Sequence, residues 1–78
     1  MDISNTIINY IIDNNPLYKN NDNINNVKLR RIFDSIGMVA FLCFLEEKFS
    51  IIINDSDVTS VNFETVNTVI NFINNKIK

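Results

Sequence analysis

The sequence predicts an all-α protein with three main helices, one short third helix and a long first loop. Three observations carry this. Glycine and proline occur once each in 78 residues, and all-β chains need both at their many turns. Apolar residues recur at helical spacing in three separate segments. The one strand-like run, Ile51-Ile52-Ile53, has no second such segment to pair with.

The elements follow in chain order. Ile3, Ile7, Ile8, Ile11 and Ile12 mark a helix over residues 3–14, with Asp2 or Ser4 available as its cap. Asn14-Asn15-Pro16 ends it, because the residue before proline is driven out of the α region. Residues 16–33 read as a connection rich in asparagine, expected to be pinned to the body by Leu17, Val27, Leu29, Ile32 and Phe33. Its cations Lys28, Arg30 and Arg31 read as a solvated loop face, with an anion contact as the alternative. Ser35 then precedes a helix from Ile36 to Phe49. Met38, Phe41, Leu42, Leu45 and Phe49 form its core stripe. Ile36, Ala40, Cys43, Phe44 and Glu47 fall largely on the other side and predict an exposed apolar patch. Residues 50–54 are an extended connector with Ile51 and Ile53 inward, and residues 55–61 suit a single short helical turn. Thr65 caps a last helix carrying Val66, Val69, Ile70, Ile73 and Ile77, with Lys76 and Lys78 complementing its dipole.

Composition excludes several chemistries. There is no histidine and one cysteine, so disulfide frameworks, Cys/His zinc sites and histidine-based nucleophile pairs are out of reach. A chain this short buries only roughly 60% of its unfolded surface, which leaves little room for a deep active site. The net charge of −2 argues against nucleic acid as the partner. No run approaches the length of a membrane span, and Met1-Asp2 begins no basic leader, so a single-domain cytoplasmic protein is expected. Fifteen asparagines and fourteen isoleucines reflect AT-rich codons rather than function. Charge is segregated: residues 19–33 carry +3 and residues 34–64 carry −5. Asp55-x-Asp57-x-Thr59 mimics a calcium loop, but Ser60 and Val66 stand where glycine and glutamate are needed. Cys43 has no base near it in sequence and reads as packing rather than catalysis.

Asp34-Ser35-Ile36, at the start of the Ile36–Phe49 helix, has a plain reading as an N-cap. It is not a capping box, since Met38 stands three residues after Ser35. Its surroundings add more. Asp34-Ser35-Ile36-Gly37-Met38-Val39, then Phe41-Leu42, Leu45-Glu46-Glu47-Lys48-Phe49, Ile51-x-Ile53 and Phe63-Glu64-Thr65-Val66 together resemble the acyl and peptidyl carrier protein family. The likeness runs from Ile3 to Ile77.

The resemblance implies a four-helix acyl-carrier-like bundle that is not itself an enzyme. It implies that Ser35 receives 4′-phosphopantetheine from coenzyme A through a phosphopantetheinyl transferase. Asp34 matches the acidic residue that helps engage that transferase. Cargo would ride as a thioester, supplied and removed by acyl- or aminoacyl-loading ligase or synthase enzymes. Asp34, Ile36, Ala40, Cys43, Phe44 and Glu47 are the expected partner contacts. A monomer is expected, because a carrier visits several enzymes. There are departures: Phe33 stands where the family often has glycine, and Gly37 and Ala40 where fatty acid carriers tend to place acids. Asn54 replaces a frequent proline, and the stretch between Phe49 and Thr65 is longer than in typical fatty acid carriers. These lean toward a specialised aminoacyl, peptidyl or polyketide-type pathway. The alternatives are a fatty acid synthesis carrier and an unmodified helical adaptor.

Overall fold

A computed structural model describes residues 2–77. Met1, and the expected role of Lys78 at the last helix end, lie outside the described residues. Four α-helices run in the order α1 (Ile3–Asn14), α2 (Leu29–Ile32), α3 (Ser35–Phe49) and α4 (Val66–Ile77), with 3₁₀ turns at Pro16–Tyr18, Ile24–Asn26 and Asp55–Asp57. No strand occurs among the described residues, only an isolated antiparallel bridge between Lys28 and Thr65.

α1 matches its sequence reading at both ends. The Asp2 carboxylate accepts from the Asn5 N–H at 3.2 Å, satisfying one of the four unpaired donors of a helix start. The Asn15 N–H closes the other end on Ile11 O at 2.8 Å, one residue before Pro16. Ile7 and Ile11 are fully buried.

The first connection differs from expectation in two ways. It contains a helix: Leu29 and Ile32, spaced i and i+3, are both buried, and the turn between them winds into α2. It is pinned differently: Leu17 is 97% exposed, while Ile24 takes a core position at 6%. A single apolar residue beside Pro16 has no partner at helical spacing to draw it inward. The short helix expected over residues 55–61 shrinks to the 3₁₀ turn Asp55–Asp57. The Asn54 N–H donates to the Asp57 carboxylate at 3.0 Å, and the Asp57 N–H to Asn54 O at 2.9 Å, closing that turn. The four-helix count therefore stands, but the short member is second in order, not third.

α4 carries Val66, Val69 and Ile73 inward as expected. Phe72 joins them, while Ile77 stays 53% exposed. The Thr65 hydroxyl accepts from the Thr68 N–H at 3.4 Å, and the Thr68 hydroxyl takes the Glu64 and Thr65 N–H groups at 3.1 and 3.0 Å. The first connection is zipped to this helix start. Leu29 N–H donates to Glu64 O at 2.8 Å, Lys28 pairs with the Glu64 carboxylate, and Asn67 donates to Asn26 at 3.1 Å.

The core holds two aromatic groups. Phe33 stacks on Phe41 at 4.9 Å, and Tyr10 leans on both. Phe63 and Phe72 meet at 5.2 Å. No polar or charged residue is buried among the described residues. The radius of gyration is 11.6 Å, matching the roughly 11.5 Å expected of one folded unit this size.

Candidate functional site

The site is built at the N-terminus of α3. Asp34 is extended (φ −80°, ψ −173°), and its carboxylate accepts from the Gly37 N–H at 2.6 Å. Its carbonyl accepts from the Met38 N–H at 2.8 Å. Asp34 is therefore the cap, and the helix begins at Ser35, one residue earlier than the sequence reading placed it. The cap role considered for Ser35 is overturned. Ser35 is exposed, and its hydroxyl enters no hydrogen bond among the described residues. The N–H groups of Ser35 and Ile36 likewise have no protein acceptor among the described residues. Two free donors at the positive end of a 15-residue helix suit an anionic group on the Ser35 oxygen.

Gly37 gives this cap room. A Cβ there would lie 3.0 Å from the Asp34 carboxylate oxygen and 3.4 Å from Phe33 Cβ and Cδ1. Phe33, standing where the resembled family often has glycine, is only 9% exposed and anchors the approach to Asp34 in the core.

α3 buries Phe41 and Leu45 and keeps Met38, Leu42 and Phe49 half-buried. Away from them Ile36 is 82% exposed and Val39 60% exposed. Ala40, Cys43 and Glu47 are exposed too. At 3.6 residues per turn these five fall within a sector of about 100°. Val39 escaped the sequence reading of this face, although its spacing of three from Ile36 and four from Cys43 marks it. Phe44 sits differently. It is half-buried, and its ring stacks on Tyr10 of α1 at 4.1 Å, so it is largely committed to the body. Glu46 is not a free acid, because its carboxylate accepts from the Ile53 N–H at 2.8 Å. That leaves Glu47 as the acid of the stripe with no hydrogen-bond partner among the described residues, while Asp34, bonded to the Gly37 N–H, marks the other end.

The other sequence candidates resolve simply. Lys28 is taken by Glu64, whose carboxyl is held below its ordinary range chiefly by that bond. Arg30 and Arg31 are exposed. The Asp57 carboxylate is occupied by the Asn54 N–H and by Lys76, which together hold its pKa down. Among the described residues, no cluster of three or more His, Cys, Asp or Glu side chains could hold a metal ion. None of their helices is long and apolar enough to cross a membrane.

Compared with known proteins, the chain matches no family model and no curated protein.

Proposed function

We propose that this is a carrier protein with the four-helix carrier fold, loaded covalently at Ser35 with 4′-phosphopantetheine. The observation that carries the reading is the pairing of Asp34 and Ser35. Asp34 supplies the cap, so the Ser35 hydroxyl is exposed and unengaged at a helix start with two spare N–H donors. The residue resemblance around Asp34-Ser35-Ile36 supplies the identity of the group.

Ser35 is the acceptor and not a self-activated nucleophile, since the chain holds no histidine to serve as its base. The transferase takes the Ser35 proton. The Ser35 oxygen bonds to the pantetheine-bearing phosphorus of coenzyme A, and adenosine 3′,5′-bisphosphate leaves. The attached arm supplies a terminal thiol that holds cargo as a thioester. The N–H groups of Ser35 and Ile36 favour the phosphodiester charge. The stripe of Ile36, Val39, Ala40 and Cys43, flanked by Asp34 and Glu47, is the face offered to the transferase and to the loading and unloading enzymes. The protein is a cytoplasmic monomer that contributes no catalytic group of its own. Gly37 and Ala40, in place of acids on this helix, favour a specialised aminoacyl, peptidyl or polyketide-type pathway over fatty acid synthesis.

Intact mass after incubation with coenzyme A, Mg²⁺ and a broad-specificity transferase tests the assignment. Wild type gains one phosphopantetheine and Ser35→Ala gains none. A wild type of unchanged mass rejects the carrier reading and leaves the adaptor, in which the apolar stripe alone acts. Ile36→Ala and Ala40→Glu are expected to slow loading while leaving the far-ultraviolet CD spectrum intact. Loading at the wild-type rate in both removes the stripe from the recognition face.

A further inference from the structure

The segment between α3 and α4 is built unlike the rest of the molecule. Residues 50–62 include no buried side chain. Ile52 is 73% exposed, Val61 75% and Val58 42%. Only Ile51 and Ile53 reach the core, and both are half-buried. Polar bonds hold the segment instead, and most are internal to it. Asn54 N–H donates to the Asp57 carboxylate at 3.0 Å. Asn62 donates through its side chain to Asp57 O at 2.9 Å and through its N–H to Thr59 Oγ1 at 3.2 Å.

Ties to the body are few. At the entry, Glu46 receives the Ile51 N–H on its carbonyl and the Ile53 N–H on its carboxylate. Across the middle, among the described residues, there is a single polar side-chain tie to α4: Lys76 Nζ to the Asp57 carboxylate at 3.0 Å. Lys76 is steadied by the Phe72 ring, 5.7 Å below its ammonium. The ends are hinge and anchor. Ser50 is the one non-glycine residue with positive φ, 54°, among the described residues, and Phe63 is only 8% exposed.

We infer that residues 51–62 form a strap that opens as a unit on the body, hinged at Ser50 and latched by the Asp57–Lys76 pair. The physical ground is that local opening energy follows buried apolar contact. The strap has almost none, whereas α1, α3 and α4 each bury at least two apolar side chains. Opening lifts Ile51 and Ile53 from the core and carries Asp57 away from Lys76. It leaves the Asp34–Ser35 end untouched, because Phe33, Phe41 and Tyr10 hold that end independently of the strap. The molecule thus changes shape on one flank while the other stays fixed. The inference does not depend on the carrier reading.

Native-state hydrogen exchange by NMR tests it on the full chain. The Ile51 and Ile53 amides, whose acceptors lie on Glu46 of the body, are expected to exchange by local opening, with a denaturant dependence much weaker than that of the Ile11, Leu45 and Val69 amides. Lys76→Met keeps an apolar stem over Phe72 and removes the latch charge. It should speed exchange of the strap amides about two- to fivefold, the range of a partly exposed ion pair, relative to the core amides. Asp57→Ala, which also removes the Asn54 bond, should speed them further. Strap amides that share the denaturant slope of the core amides overturn the inference. So does a Lys76→Met variant that leaves the strap-to-core ratio unchanged.

Discussion

Replacing Gly37 by alanine tests how the α3 start is built, because two effects of similar size meet there. Alanine in a helix is favoured over glycine by up to about 1 kcal/mol. Against this, the new Cβ would stand 3.0 Å from the Asp34 carboxylate oxygen that caps the helix through the Gly37 N–H at 2.6 Å. The carboxylate must swing away or lengthen its bond, and a lost cap of this kind costs about 1 kcal/mol. The two nearly cancel, so Gly37→Ala should change stability by less than about 0.5 kcal/mol. Asp34→Ala alone should cost about 1 kcal/mol. In that background nothing opposes the alanine but Phe33 at 3.4 Å, and Gly37→Ala should then stabilise by about 0.5–1 kcal/mol. The cycle predicts a coupling near 1 kcal/mol, above the roughly 0.3–0.5 kcal/mol scatter of independent sites. Urea unfolding followed by CD measures it, the better probe for a chain without tryptophan. An equal gain from Gly37→Ala in both backgrounds would refute the argument. Asp34→Asn separates cap from charge: it keeps an acceptor for the Gly37 N–H, so any loss of loading beyond the loss of stability belongs to the carboxylate charge.

Phe41→Ala removes a fully buried ring that stacks on Phe33; it should cost about 3–5 kcal/mol and leave a chain largely unfolded by near-ultraviolet CD at 37 °C. Ser50→Gly relieves a left-handed residue at the α3 end and should raise stability by about 0.5–1 kcal/mol, read as a higher urea midpoint at constant slope. Asp57 and Glu64 have carboxyls held below their ordinary 3.8 and 4.5 by hydrogen bonds and their lysine partners. Their contribution is complete above those values and is lost as pH falls through the lowered ones, since the unfolded chain then binds more protons. The urea midpoint should therefore fall with acid in that window, and Asp57→Asn should flatten the fall.

What the sequence revealed depended on whether a signal was local and repeated. α1 was legible to the residue, because five isoleucines at helical spacing end against a proline. The body of α3 was legible for the same reason. α2 was not: one turn supplies a single i, i+3 pair, Leu29 and Ile32, which reads equally well as two loop contacts. Ile24 was hidden because its asparagine neighbours gave it no period. Leu17 misled for the complementary reason, being apolar with nothing nearby to bury it. The Asp34–Ser35 end was found from its residues, but which of the two caps the helix turned on one backbone angle that composition does not encode. The tie from Glu46 to the Ile53 N–H was not legible, because the two are seven residues apart and meet only after Ser50 turns the chain.

Cys43 has a practical consequence. It is the only thiol in the chain and is exposed in the middle of the stripe that begins at Ile36. A fluorophore or spin label attached there needs no engineered substitution, and on the proposed carrier reading it sits where a visiting enzyme would cover it. On that reading the unloaded protein carries a native reporter of its own encounters. Loading at Ser35 would introduce a second, more mobile thiol. The ratio of labelled sites before and after then counts how many molecules carry the arm.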